Sequence, residues 1–539
     1  MSTVVKLEIA GKMTDTRFRV LFLLLGLWVG GVAGFGFGAS VALGAGGVNA
    51  VDKMDVVDKM DAVDRMDAVD KMGTAAPLTA STTTTSTQST QSTQPPALKP
   101  QDGLKPALRT PQDGLKPALR TVRTNRLKPA LQTVPQRLRV EFWHAMSGPE
   151  AGEVIAAFVR EFEELHPDIH VVPVYQGNYN QLSQKLIASV IARSNPVIAQ
   201  MYEGWTSRFL TRNLLDPVQN YLGGEDGLTS AELEDIWEPF RLNNTWEGRL
   251  VTLPFNKSGY VLCANMDMLR AKGYDHPPRT WEELRRMARD LTVREPGRSN
   301  ASVYGLLMRS RIEALTIFLF RSGGRYLSDD WKSAISPNRE ALETLRFIRT
   351  MSVEDGSAYV DSSYPSTPFG AGQVAMFVHS SAAFAFNDQA VRGKFQWAAA
   401  PVPYPEGRKG GVLFQGTNIG IFARPHPPEV RRAAWKFLKF ITSTRNAARW
   451  SIATGYVPVR KSCLDLAEMK DFLERNPNYR VPIDLIPEAT FDPRPDYWDQ
   501  MRPQIETYAL DAINGRCTAE EAMERIEEKL REIIAYERR

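Results

Sequence analysis

Phe142-Trp143-His144, Gly177-Asn178-Tyr179 and Tyr202-Glu203 fall at the ends of successive strand-like segments in this 539-residue chain. Tyrosine and tryptophan rings offer flat apolar contact with a polar edge, which suits C–H-rich polyols and sugars. A carboxylate accepts protons from two adjacent hydroxyls, while serine hydroxyls and helix N-termini hold anions. Glu203 follows an apolar strand directly, where an unpaired carboxylate is costly, so a site role is expected of it. The competing reading of each aromatic is core packing.

The elements that place these residues read as alternating β and α. Leu138–Trp143 alternates like a short strand, and Ser147 with Glu150 predicts a capping box around Pro149 at the start of a helix. Val154, Phe158, Phe162 and Leu165 share one face of that helix, and Pro167 ends it. Ile169–Val174 is the next strand, a second helix after Tyr179 carries Leu182, Leu186 and Val190, and Pro196–Met201 reads as a buried strand. Three strands joined by two helices imply parallel order, with ligands beyond the strands' carboxyl ends, where Trp143, Tyr179 and Glu203 fall. Further on, Gly259–Ala264, Val374–Val378, Trp397–Val402 and Asn418–Phe422 are strand candidates. Thr280 with Glu283 and Thr518 with Glu521 start helices.

Together with Pro254-Phe-Asn-Lys-Ser258, Thr280-Trp281, Thr454-Gly-Tyr456 and Pro503-Gln-Ile505, these motifs resemble the extracellular solute-binding family of bacterial ABC importers. The similarity is to its sn-glycerol-3-phosphate-binding members, in a family that also holds maltose-type binders, and it runs from about residue 138 to the C-terminus. The resemblance implies an α/β, two-lobed, type II periplasmic-binding-protein-like fold with an interlobe cleft and chain crossovers. Lobe one would take 138–255 and 408–452, and lobe two 256–407 and 453–539. It places the ligand on Tyr179, Glu203, Ser258, Trp281, Ser380, Gly416 and Tyr456. Glu203 and Tyr179 would take hydroxyls, Trp281 would form an apolar wall, Gly416 would admit backbone close to the ligand, and Tyr456 would close from the second lobe. The competing readings are a plain turn for Gly416 and a simple helix cap for Ser380. One departure stands out: Glu506 comes directly after Pro503-Gln-Ile505, where glycerol-phosphate binders place a phosphate-contacting arginine. A carboxylate there repels phosphate, and Arg494, Arg502 or the helix end at Ser380 would have to compensate.

The resemblance implies a non-enzymatic, monomeric protein without cofactor or metal. It would capture a glycerol phosphate, a glycerophosphodiester or a sugar and deliver it to ABC permease subunits. No GxSxG, HExxH or GxxxxGK[ST] motif occurs. Pro167 separates His166 from His170, which argues against a helical zinc pair. A net charge of +4, with no basic block interleaved with aromatics, argues against nucleic acid. Two other classes compete: a secreted carbohydrate hydrolase pairing Glu203 with Glu506, and a surface scaffold. Cys263, Cys463 and Cys517 lack CxxC spacing and are expected to be isolated thiols.

The N-terminal region sets the expected compartment. Lys6, Lys12, Arg17 and Arg19 precede an uncharged apolar run from Val20 to about Gly47, so 1–50 reads as a signal peptide or a membrane anchor. The rest of the chain is expected outside the cytoplasm, in the periplasm or on the membrane's outer face. Residues 51–137 carry Met54, Met60, Met66 and Met72 at six-residue spacing, a Ser/Thr/Gln tract, and three LKPAL copies. They are expected to form a disordered tether on the order of 50 Å from end to end.

Overall fold

The expected alternation of strand and helix forms at the start of the globular part. β1 (Leu138–His144), α1 (Pro149–Leu165), β2 (Ile169–Tyr175), α2 (Tyr179–Ile191) and β3 (Ile198–Met201) succeed one another in order. The computed structural model describes residues 137–538 apart from Glu225 and Ser299. The leader and the repeat tether assigned to 1–50 and 51–137 therefore lie outside the described residues, save Arg137. One local expectation fails. Gly148, at φ 96°, is the N-cap of α1 and no side chain caps the helix. Pro149 fixes the first helical residue, which leaves Ser147 one position too early to reach the exposed amides.

The first sheet runs β2-β1-β3-β12-β4, where β4 is Leu215–Asp216 and β12 is Asn418–Phe422, and β5 (Leu253–Pro254) also pairs with β12. β1 is parallel to β2 and β3, whereas β12 is antiparallel to β3, β4 and β5. A strand from the far end of the sequence thus occupies the middle of the sheet. α3 (Glu203–Thr211) comes directly after β3. α6 (Pro428–Ile441) and α7 (Thr444–Thr454) pack on β1 and α1, burying Trp435, Phe437 and Trp450 among Phe142, Phe158 and Phe162.

The second sheet runs β8-β7-β9-β6-β11-β13. Its strands are β6 (Ser258–Asn265), β7 (Tyr304–Arg309), β8 (Ala358–Asp361), β9 (Val374–Ser380), β11 (Val412–Gln415) and β13 (Ala489–Thr490), and β10 (Trp397–Pro401) also pairs with β6. Its helices include α4 (Trp281–Leu291), α5 (Glu313–Arg321), α8 (Trp498–Ile513) and α9 (Ala519–Glu537). The α9 capping box forms as expected, with Thr518 and Glu521 each bonding the other's backbone amide. Ala522, Ile526 and Leu530 of α9 are buried with Ile505 and Ala509 of α8.

The chain passes between the sheets three times, at 255–257, at Gly416-Thr417 and at 455–457. The second passage falls later than the expected position near 408, because Phe414 and Gln415 still pair with Gly259 and Ser258 of β6.

Candidate ligand-binding site

The three passages are tied to one another by hydrogen bonds. Lys257, fully buried on the first, donates to Glu203 Oε1 at 3.0 Å, Asn243 Oδ1 at 3.2 Å and the Gly416 carbonyl at 2.9 Å. Burial pulls the ammonium pKa below its usual range while the facing Glu203 charge holds it up. Asn256 Oδ1 accepts from Gln200 Nε2 at 3.3 Å and from the Thr417 amide at 3.2 Å, joining β3 to the second passage. On the third, the Val457 amide donates to the Lys257 carbonyl at 2.8 Å. Gly416 sits at φ 120°, and a Cβ there would lie 1.8 Å from the Asn256 carbonyl oxygen, so this close crossing requires glycine. It is more than a plain turn.

Tyr179 and Tyr456 meet on this line. Tyr179 is the first residue of α2, whose N-cap Asn178 forms a reciprocal box with Gln181. Its hydroxyl accepts from Asn256 Nδ2 at 2.8 Å and lies 3.5 Å from the Tyr456 hydroxyl. Tyr202 packs edge-on against Tyr179 with ring centroids 5.2 Å apart. Burial first, and then the neighbouring Tyr456, push the phenol pKa values of Tyr179 and Tyr202 upward, so these rings present neutral hydroxyls.

From the second sheet come Ser258 and Ser380. Ser380 Oγ donates to Ser258 Oγ at 2.8 Å and also accepts from the Ala382 amide at 3.2 Å, which is the cap expected of it. Beside them, Tyr260 donates to Gln415 Oε1 at 2.9 Å and Gln415 Nε2 donates to Asp492 Oδ2 at 2.8 Å. Arg502 bridges Asp492 Oδ2 at 2.7 Å and Glu313 Oε1 at 2.6 Å.

One expected role does not survive the geometry. Trp281 is 4% exposed, stacks on Phe347 at 4.4 Å and belongs to the second sheet's core, so it walls no cleft. Its place as first residue of α4 turns the ring inward, onto the helix packing behind the sheet. Glu203 is not an unpaired carboxylate, because Lys257 and Asn418 both bond its Oε1. Glu506 accepts from the Ile312 amide at 3.0 Å ahead of α5, where the chain's own carboxylate occupies a helix N-terminus. Arg494, raised as a substitute for the missing arginine, donates to the Leu242 and Thr245 carbonyls and lies over Trp246. Trp143 donates to Glu141 and packs in a separate cluster with Leu182 and Trp205.

Sequence reasoning does not single out Lys257, Asn256, Gln415 or Asp492 as residues lining the site. Lys257 carries a signal nonetheless: it is the only charged residue between Arg249 and Asp267, so it has to be buried and paired. Among the described residues no group of His, Cys, Asp and Glu could hold a metal ion, and no helix is long and apolar enough to cross a membrane. The three cysteines are free thiols.

Two α/β sheets, joined by three passages and meeting along a line of tyrosine and serine hydroxyls, define the fold of type II periplasmic solute-binding proteins. The chain belongs to the bacterial extracellular solute-binding protein family, whose profile matches residues 157–480. It is 28% identical over 357 residues to the sn-glycerol-3-phosphate-binding periplasmic protein UgpB of Escherichia coli (strain K12), a match covering 65% of this chain and 79% of that protein. UgpB from Mycobacterium tuberculosis in complex with glycerophosphocholine superposes with a TM-score of 0.65 at 21% identity, covering 74% of this chain and 99% of the other. The cyclic alpha-maltosyl-1,6-maltose binding protein from Arthrobacter globiformis has a TM-score of 0.64 at 18% identity, covering 74% of this chain and 99% of that one. The sugar-binding protein MalE from Xanthomonas citri has a TM-score of 0.64 at 22% identity, covering 74% and 98%.

Proposed function

We propose that this chain is the ligand-capturing component of an ABC importer, working outside the cytoplasm as a monomer and releasing its cargo to permease subunits in the membrane. The cargo is a small polar molecule of the glycerol-phosphate, glycerophosphodiester or sugar class, gripped between the lobes. Tyr179, Glu203, Ser258, Ser380, Gly416 and Tyr456 hold or frame it, and no bond is made or broken. One observation carries this reading: Tyr179 of the first lobe and Tyr456 of the third passage bring their hydroxyls to 3.5 Å beside the Gly416 crossing. A ligand inserted there touches both lobes, and only a ligand contacting both can favour the closed state over the open one.

The test is a thermal-shift and calorimetry panel of glycerol-3-phosphate, glycerophosphocholine, maltose and trehalose on the purified protein, repeated with Glu506→Arg. At about 100 times Kd a true ligand adds about 2.7 kcal/mol of stability. It should do so without being converted. A broad polyol and sugar panel that leaves melting unmoved, or any ligand recovered as product, overturns the proposal.

A further inference from the structure

We infer that the cleft is built for an uncharged, hydroxyl-bearing ligand, a saccharide or polyol without a phosphate, and that Asp492 is its acceptor in the second lobe as Glu203 is in the first. This rests on the importer reading above. The argument begins with two carboxylates bonded in the same way. Glu203 uses Oε1 for Lys257 and Asn418, and Oε2 has no hydrogen-bond partner among the described residues. Asp492 uses Oδ2 for Arg502 and Gln415, and Oδ1 is buried with no partner among the described residues. Each carboxylate therefore meets a cation through one oxygen, Arg502 being shared with Glu313, while the other oxygen is left to accept. A polyol hydroxyl donates. A glycerol moiety could donate too, but a phosphate group set against either oxygen would offer only acceptors.

The cations tell the same story from the other side. Three basic groups at the crossing could have met a phosphate: Lys257, Arg494 and Arg502. Lys257 has its ammonium on Glu203, Asn243 and the Gly416 carbonyl. Arg494 is held on the Leu242 and Thr245 carbonyls. Arg502 lies between Glu313 and Asp492, the latter at 2.7 Å. Glu506 occupies the Ile312 amide, where a ligand anion could otherwise have sat. Arg309 donates to the Ser362 carbonyl and lies over the Tyr364 ring, and with Arg311 it lines a cavity of about 30 Å³ beside Glu313 and His379. Around these groups stand Tyr179, Tyr202, Tyr260 and Tyr456, whose rings and hydroxyls match the faces and edges of a sugar ring.

The experiment is calorimetry on the full chain with maltose, trehalose, glycerol-3-phosphate and glycerophosphocholine, at low and high salt, with Asp492→Asn and Glu203→Gln alongside. The expected result is binding of a neutral sugar that salt barely alters, weakened about ten-fold or more by each variant, with the phosphates weaker by at least as much. Tighter binding of either phosphate by the wild type, weakening with salt, overturns the inference and leaves the importer reading intact. A neutral sugar bound equally well by a folded Asp492→Asn also overturns it. Failure of every ligand to bind sinks both readings. The wild-type titrations decide between sugar and phosphate even where a variant does not fold.

Discussion

Replacing Lys257 by methionine tests the reading of the crossing most directly. The side chain is fully buried, and its ammonium makes three hydrogen bonds, to Glu203, Asn243 and the Gly416 carbonyl. Methionine fills similar space but leaves Glu203, which is 6% exposed, as a buried charge with only Asn418 to answer it. Removing one partner of a buried ion pair costs about 3–5 kcal/mol, most of it from the stranded charge. For a lobe of roughly 200 residues that is a fall in Tm on the order of 10 °C. The assay is urea unfolding of the wild type, Lys257→Met, Glu203→Gln and the double variant. Because the loss comes chiefly from the uncompensated carboxylate, the double variant should recover more than half of it, giving a coupling energy of about 2 kcal/mol or more. Hydrogen exchange should quicken at the Thr417 amide, since the second passage loses one of its ties to the first, leaving the bond from Thr417 to Asn256. If Lys257→Met unfolds within about 1 kcal/mol of wild type, or the double variant is no better than the single, the crossing is not held as described.

Other sites give further expected outcomes. Gly416→Ala forces a Cβ to within 1.8 Å of the Asn256 carbonyl oxygen at φ 120°, and should cost about 3 kcal/mol or more in chemical denaturation. Trp281→Phe should leave ligand affinity within about two-fold while lowering stability by roughly 1–3 kcal/mol, and a large affinity loss would restore the ring to the cleft wall. His144 is pushed down to about 4, chiefly by burial. The folded state therefore resists a proton that the unfolded chain binds below about pH 6.5. Stability from this group is complete above about pH 6.5 and falls by up to about 1.4 kcal/mol per pH unit toward pH 4. Urea titrations at pH 7 and 5 should show a shallower loss in His144→Gln. Burial raises the Glu506 carboxyl, so its charge is a penalty on the folded state that appears as pH rises past the unfolded value and is absent in acid. Glu506→Gln keeps an acceptor for the Ile312 amide and should raise Tm at pH 7 but not at pH 4.

Local pattern reads well where one element decides its own shape. The β1-α1-β2-α2-β3 run, the α9 capping box and the strand at Asn418–Phe422 are all visible from periodicity and turn residues. Which sheet a strand joins is harder. Val412–Gln415 lies only two residues before β12, yet pairs with β6 in the other sheet, and nothing local separates the two fates. Of the candidate site, Tyr179, Tyr456, Ser258, Ser380 and Gly416 do gather along the crossing. The partners that set its charge balance escape sequence reasoning for a physical reason. Lys257 meets Glu203 across 54 residues and Arg502 meets Glu313 across 189, and such long-range pairing leaves no mark at either position alone. Trp281 is misplaced by the resemblance, and its context could not correct this, because an aromatic at a helix start looks the same whether it faces solvent or core.

The middle position of β12 in the first sheet constrains the order in which the protein can assemble. As the nascent chain lengthens from its N-terminus, β3 lacks its second neighbour and β4 and β5 have no partner in this sheet until residues 418–422 emerge. The second sheet waits longer still, since β13 and the helices α8 and α9 come from beyond residue 488. Loop-closure entropy over such spans makes folding slow and places it after synthesis is nearly complete. Neither sheet can therefore be completed until most of the polypeptide has been made.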